Sequence, residues 1–361
     1  MGKRELFIAL AFVAAAAVAY QMTAPAPKPG EQGFSFSRIW NEARREMRGN
    51  QANATAKSTG SFPASAELSD LRFESVRVGA LRLRLVGEAR ADVAYELSVQ
   101  SNGPDEATAL DYAKRVRLTT DDLGRSLTMR MDYPAEYRQS ATMVVRLPSR
   151  MGVVVSGAGA IEVSDVATAQ LDGMGGECAV SRVAGLLSGS HRNGRLKVDG
   201  AGSVKLDVRN GQCSIANVKG RIDLDEQRDE ITIANPAGPV WIGGSEGRIV
   251  LTNPRAESRI DVRRAEVEVQ LSAAIPLTLL TTEDTLRLML EGPPHVVLDA
   301  VATSARIQAS DFDLPVDTNE KENRLMHTFG AAGAPRISLR NTRGDIVIRK
   351  SGAPIVNRER K

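Results

Sequence analysis

From Leu68 onward apolar and polar residues alternate along much of the chain. Leu81, Leu83 and Leu85 are separated by Arg82 and Arg84, and Val93, Tyr95, Leu97 and Val99 by Ala94, Glu96 and Ser98. That two-residue period is the mark of half-buried strands. The pattern breaks at "NGPDEATALDYAKRV". There Pro104 suits a first helical turn, Asp105 and Glu106 complement the positive helix end, and Leu110 and Ala113 make a small buried face, so one short helix is predicted. Strands are predicted again over residues 116–120 and 127–133, as a hairpin around 121–126, and over 142–147 before Pro148.

A repeat begins near Val153. Its first inward residues are Ile161, Leu171, Cys178, Leu186, Leu196, Val204, Cys213, Ile222, Ile231, Val240 and Ile249, a recurrence of about nine residues. Nine residues accommodate one short strand and a corner. The corners carry Gly, Asn and Asp, as in "SGAGA", "DGMGG", "RNG", "DGAGS", "NPAG", "GGSEG" and "NPRA". These residues tolerate positive φ or bond their own backbone. A flat meander of a dozen such strands would need a second layer over its apolar face, whereas a β-solenoid with two units per coil covers itself. The prediction is therefore an all-β, single-stranded β-solenoid of about 18 residues per coil, preceded by a small β-rich lead-in region with one short helix. Aromatic residues are only 4% of the chain, which suits so thin a core.

The same geometry bears on Cys178 and Cys213. Thirty-five residues apart, they are expected two coils from each other, roughly 10 Å at about 4.8 Å per strand. A disulfide needs Cα atoms within about 7 Å, so both are read as small buried apolar residues.

Ahead of the strands, Lys3 and Arg4 precede an apolar run over residues 6–22, with Ala17-Val18-Ala19 as a small-x-small cleavage site. Residues 1–22 are read as a signal peptide or a membrane anchor, with cleavage after Ala19 and retention both open. Residues 23–66 form a Pro-rich and polar linker. Within it, residues 36–48 could make a short basic amphipathic helix from Phe36, Ile39, Trp40, Ala43 and Met47. Residues 67–350 form the solenoid domain, and 351–361 a mobile basic tail. The acidic stretch 311–323 is expected as a loop, and the strands around Ile337 and Ile346 as the cap closing the solenoid end. With 47 basic and 44 acidic residues well mixed, the net charge of +3 offers no field for nucleic acid.

The succession "LTMRMDYP", "VVRLPSRMGVVVSGAGAIEV", glycine-rich nine-residue units and "ISLRNTRGDIVI" resembles the bacterial putative-adhesin family, domain of unknown function 4097, over about residues 68–350. The resemblance implies a β-solenoid on an exported or membrane-anchored protein with no established enzymatic activity. The basic segment around Trp40 and the less regular stretch 272–329 depart from the family pattern.

Chemistry is sparse in the sequence. His191, His295 and His327 stand apart from one another and are read as solvated loop residues; no metal, cofactor or catalytic residue is assigned. The glycines near Gly157 and Gly173 lack the Lys-Ser/Thr and helix start of a phosphate loop. A polysaccharide-active β-helix needs paired carboxylates, and Asp199, Asp207, Asp223 and Asp225 could stack into such a patch. The favoured reading is a non-enzymatic extracytoplasmic protein of the periplasm or cell surface, an adhesin or envelope scaffold. Its partner would be an envelope protein or glycan, bound on the outer ladders between Gly157 and Asn253. A polysaccharide hydrolase or lyase and a membrane-anchored sensory partner in envelope stress are the alternatives.

Overall fold

The computed structural model describes residues 52–75, 81–134, 139–291, 295–331 and 333–351. Residues 1–22, expected as a signal peptide or membrane anchor, the helix expected over 36–48 and the tail beyond Ser351 lie outside the described residues. The chain is all-β, with twenty-two strands in one hydrogen-bonded network and a single α-helix among the described residues.

The repetitive middle consists of β8 (Gly152–Ser164), β9 (Ala169–Arg209), β10 (Gln212–Val218), β11 (Ile222–Gln227), β12 (Glu230–Ala234), β13 (Val240–Thr252) and β14 (Ser258–Leu271). Every pairing among them is parallel. Ile161 lies beside Cys178, Val204 beside Ile222, Ile222 beside Val240 and Val240 beside Ser258, so each residue rests on its counterpart two repeat units earlier. The strands fall into two walls. One carries β11; the other carries β10 and β12; the long strands β9 and β13 bend at a corner and belong to both. The pairing path β9, β10, β12, β13, β11 therefore closes on itself through five parallel strands.

The corners are set by backbone conformation. Asp165, Arg182, Gly200, Asn217, Asn235 and Asn253 make one column of left-handed residues; Gly176, Asn193, Asn210, Arg228, Glu246, Arg264 and Glu283 make another. All have φ between 50° and 85°, and each column receives one such residue per rung. The amides of Asn210, Arg228, Asn235 and Asn253 donate to Gln227, Ser245, Thr252 and Gln270 carbonyls at 2.9 to 3.0 Å, tying each corner to the next rung. Non-glycine residues pay roughly 1 kcal/mol for this conformation. Side chains along the columns offset part of that cost: Glu246 takes Arg228 at 3.2 Å and Arg264 at 2.5 Å, and Arg182 takes Asp165 at 2.6 Å.

Between the walls lies one continuous core of Leu, Ile, Val and Met; Phe73 is its only fully buried phenylalanine among the described residues. Nearly all the expected inward markers are buried. Leu186 is the exception, at 41% exposure, because its neighbour Leu187 takes the inward position and makes the spacing to Cys178 and Leu196 nine residues on each side. Cys178 and Cys213 are free and buried; Cys213 lies beside Leu196, which is on the same strand as Cys178 and 18 residues beyond it. Burial pushes both thiols up to about 12, so neither is a thiolate at neutral pH.

The ends are built differently. Residues 52–63, expected within a linker, form β1 (Ala52–Pro63), which pairs antiparallel with β4 (Asp92–Gly103). The helix α1 (Glu106–Lys114) starts two residues beyond Pro104, which was expected in its first turn. Asp105 is its cap, its side chain accepting from Thr108 N at 2.8 Å. Ala109 rather than Leu110 joins Ala113 in the buried face. Strands β5 (Arg117–Asp122) and β6 (Ser126–Asp132) form the expected hairpin. The first strands of the stack, β2 (Asp70–Ser75) and β3 (Leu81–Glu88), do not lie at its end. They are inserted between β6 and β8, and between β7 (Gln139–Pro148) and β8, respectively.

The far end repeats the device. After β15 (Leu277–Thr282) and β16 (Leu286–Leu290) the chain runs through β17 (Val297–Thr303), β18 (Ile307–Gln308), a 3-10 turn at Ser310–Phe312, β19 (Asp317–Thr318) and β20 (Glu322–Thr328). It then returns as β21 (Arg336–Thr342) and β22 (Ile346–Lys350). These last strands were expected to close the end. Instead β21 sits between β15 and β17, and β22 between β16 and β18. The outer edge is covered by antiparallel β20, which ends the parallel ladder where another chain could otherwise add on. The acidic stretch 311–323, expected as a loop, contains the short strand β19 paired with β20.

Candidate binding surface

Alternation puts every second side chain of a wall into water, and parallel pairing in register lines those side chains up across rungs. On the wall carrying β11, one outward row runs Lys205, Asp223, Trp241, Arg259, and the next runs Asp207, Asp225, Gly243, Asp261. Together they line an open groove of about 660 Å³.

Trp241 is its distinguishing residue. It stands between buried Val240 and Ile242 and is itself 43% exposed. The Arg221 guanidinium packs 3.6 Å from the centre of its ring while bonding Asp223 at 2.8 Å. Arg209 and Asp207 pair at 2.8 Å, and Arg259 and Asp261 at 2.9 Å. The Asp225 side chain makes no salt bridge or hydrogen bond among the described residues, although its backbone is in the ladder on both sides. Gly243, between Asp225 and Asp261, is not in the left-handed region, and a β-carbon placed there would meet nothing closer than the Asp261 carbonyl at 4.0 Å. The backbone does not require glycine; its absent side chain leaves a notch beside the indole.

Of the four aspartates singled out in the sequence, Asp207, Asp223 and Asp225 meet in this groove. Asp199 lies on the opposite wall beside Ala216 and accepts from Asn217 at 2.7 Å. Sequence alone missed Trp241, Gly243, Arg259 and Asp261. The signal was present in "PVWIGG", where a tryptophan occupies the outward parity of a strand.

A second groove of about 650 Å³ lies on the other wall. Four cations, Arg82, Arg84, Arg195 and Lys197, face only Glu162 and Glu177, and no aromatic residue lines it.

Several buried polar groups do not line either groove. His191, expected as a solvated loop residue, is fully buried, with Nε2 3.2 Å from the Gly176 carbonyl. Burial, opposed by that hydrogen bond, lowers its pKa, so the ring is neutral at pH 7. His327 is in strand β20, edge-on to Phe329 at 4.5 Å, rather than in a loop; His295 is exposed. Glu226 is 1% exposed and neither carboxyl oxygen has a hydrogen-bond partner among the described residues. Burial, reinforced by Asp229, pushes it up to about 8. Asp229 is also raised by burial, although Gly211 N at 2.6 Å and Gln227 N at 3.0 Å hold its carboxylate. No group of three His, Cys, Asp or Glu among the described residues is placed to hold a metal ion. No helix among them is long and apolar enough to cross a membrane.

No protein-family model matches the chain, and no curated protein sequence does. Among solved structures, the chain is similar to a "putative lipid binding protein" from Parabacteroides distasonis, at 12% identity and a TM-score of 0.37 over 83% of this chain and 98% of that one. It is also similar to a "putative adhesin" from Parabacteroides merdae, at 11% identity and a TM-score of 0.28 over 84% and 97%. A "putative cell adhesion protein" from Clostridium sporogenes follows at 8% identity and a TM-score of 0.21 over 82% and 100%. TM-scores below 0.5 at such identities carry no argument about function.

Proposed function

We propose that the protein is a non-enzymatic binding or scaffold component of the cell envelope, a β-solenoid of the adhesin-like kind exported through residues 6–22. Two units of about nine residues would make each coil of about 18, with the two walls as its faces. The observation that carries the reading is the groove around Trp241. A large aromatic side chain is left in water on a rigid, hydrogen-bonded wall, ringed by charges already arranged in pairs. An exposed apolar body with polar flanks is the composition of a recognition surface. Such a wall offers a long, regular face to an extended polymer without rearranging.

The carboxylates also fit this reading better than catalysis. Glycoside hydrolysis asks for an acid and a base in contrasting, protected environments. Asp207 and Asp223 instead share one open surface, each engaged by an arginine. The test is retention of the full-length protein, purified in detergent, on isolated cell-wall and polysaccharide fractions, with soluble sugar monitored. Saturable retention without release of sugar is expected. Release of reducing ends or unsaturated products, lost in Asp225→Asn, would make the protein an enzyme.

A further inference from the structure

We infer that the notch formed by Trp241 and Gly243 is a subsite for a neutral saccharide unit, held between Asp225 and Asp261. This rests on the reading of that groove as the binding surface and adds the chemistry of what it holds.

Three features of the groove select the ligand. Its charges cancel: Lys205, Arg209, Arg221 and Arg259 stand among Asp207, Asp223, Asp225 and Asp261. A balanced surface gives no net attraction to an anionic or a cationic polymer, in contrast to the basic groove of the opposite wall. Its backbone is also fully engaged. The rungs bearing Asp223, Trp241 and Arg259 are each paired on both sides, so no strand edge remains to accept a peptide by β-addition. Recognition must then run through side chains alone. Finally, those side chains combine an indole with acceptors and donors at fixed spacing.

Asp225 and Asp261 are two rungs apart, roughly 10 Å at about 4.8 Å per rung, with the hollow over Gly243 between them. Carboxylates accept strongly from hydroxyl donors, and Arg259 donates beside them. A ring whose edge carries hydroxyls and whose face is C–H can lie on the exposed indole and bridge the two aspartates. Arg221 packs on the ring and holds its rotamer, which lowers the entropy lost on binding.

Trp241 is one of two tryptophans in the chain, so its fluorescence reports the site. The full-length protein is titrated with cello-, laminari-, malto- and chito-oligosaccharides, and with oligogalacturonate and heparin fragments as acidic probes; wild type and variants alike are read by isothermal titration calorimetry, because Trp241→Ala removes the fluorescent reporter. At least one neutral series is expected to bind with an affinity that changes less than twofold between 50 and 500 mM salt. Trp241→Ala and Gly243→Leu should each weaken it tenfold or more. Both positions face outward without backbone strain, so unchanged melting temperatures check that the variants are folded. Arg195→Glu, on the other wall, should leave binding unaltered.

No neutral binding by the wild-type chain, or neutral binding untouched by both groove variants, overturns the inference. Acidic probes alone binding, with steep salt dependence and loss in Trp241→Ala, would keep the groove as the binding surface and overturn its neutral specificity. Acidic binding lost only in Arg195→Glu would move the binding surface to the other wall and overturn both readings.

Discussion

The middle of the stack and its two ends solve the same problem by opposite means. Between β8 and β14 each strand rests on the strand two repeat units before it, so order in space follows order in sequence. At the ends the partners are distant in the chain. Asp70 lies beside both Ser126 and Gly152, and Ile337 beside both Leu277 and Leu298, so the first and last strand pairs of the stack are threaded second from the end of the parallel ladder. Stretching a closure from about 18 to about 60 residues costs only about 1 kcal/mol in chain entropy. What the ends gain is that no parallel rung near a terminus can peel away alone. The middle is a sum of local contacts; the ends are clasps.

The sharpest way to break this contrast is to cut the chain. Ending it at residue 335 removes β21 and β22, leaving β15 and β17 without the strand that joins them. The expected result is loss of the cooperative thermal transition and rapid proteolysis of residues 272–335. Deleting residues 222–239 removes as much ladder but joins the chain in phase, since Ile222 lies opposite Val240. That variant should fold, with a lower melting temperature. If the two behave alike in circular dichroism and proteolysis, the clasp carries no special weight.

The clasp at the far end has a named lock. Asp299 in β17 is fully buried and takes both Arg336 and Arg340 of β21, the latter at 2.7 Å. Asp299→Ala removes both charge-assisted hydrogen bonds while Arg336 and Arg340, 60% and 35% exposed, still reach water, and should cost about 2 kcal/mol, read by chemical denaturation. Hydrogen exchange should place the loss in β17, β20 and β21, not in the middle.

The regular repeat was legible because it is local. Alternation named the inward residues, and Gly, Asn and Asp named most corners. Arg182, Arg228 and Arg264 hid the same left-handed corner behind charged residues that do not ordinarily favour it. The threading of β2, β3, β21 and β22 was not legible, since "PRISLRNTRGDIVIRK" has the pattern of a terminal hairpin wherever it inserts. The groove was half legible. Asp207, Asp223 and Asp225 followed from strand parity, but Asp199 has the same parity on the wrong wall, and only the register brings Arg259 and Asp261 alongside Trp241.

Acid should separate the two regions by sign. Burial alone would raise Asp299, but hydrogen bonds and charge from Arg340 and Arg336 outweigh it and hold the pKa below the usual range. The stability it contributes is complete above the ordinary carboxylate pKa and is lost as pH falls through its lowered value. Glu226, in the middle, is raised to about 8. The folded state keeps its proton where the unfolded state releases it, so stability declines as pH rises from about 4.5 to about 8. Glu226→Gln should therefore stabilise the protein by on the order of 2 kcal/mol at pH 9 and have little effect at pH 4. Denaturation curves at the two pH values check this, and an equal effect at both would place the carboxylate in contact with water.

The smallest expected effect tests how the middle is held at its corners. Asn235 and Asn253 are successive left-handed residues at φ 51° and 52°, and their side-chain amides meet at 3.3 Å. Alanine at either position keeps the strain and loses the amide contact, so each change should cost about 1 kcal/mol. Glycine loses the same contact but removes the strain, and should be close to neutral. If the two corners act as a ladder, the first alanine already forfeits the shared contact. The double alanine variant should then cost less than the two single changes together, by a few tenths of a kcal/mol. Strict additivity in a denaturant cycle would instead mean that each corner is held by its own backbone hydrogen bond to the following rung, with the asparagines serving only as residues that tolerate the turn.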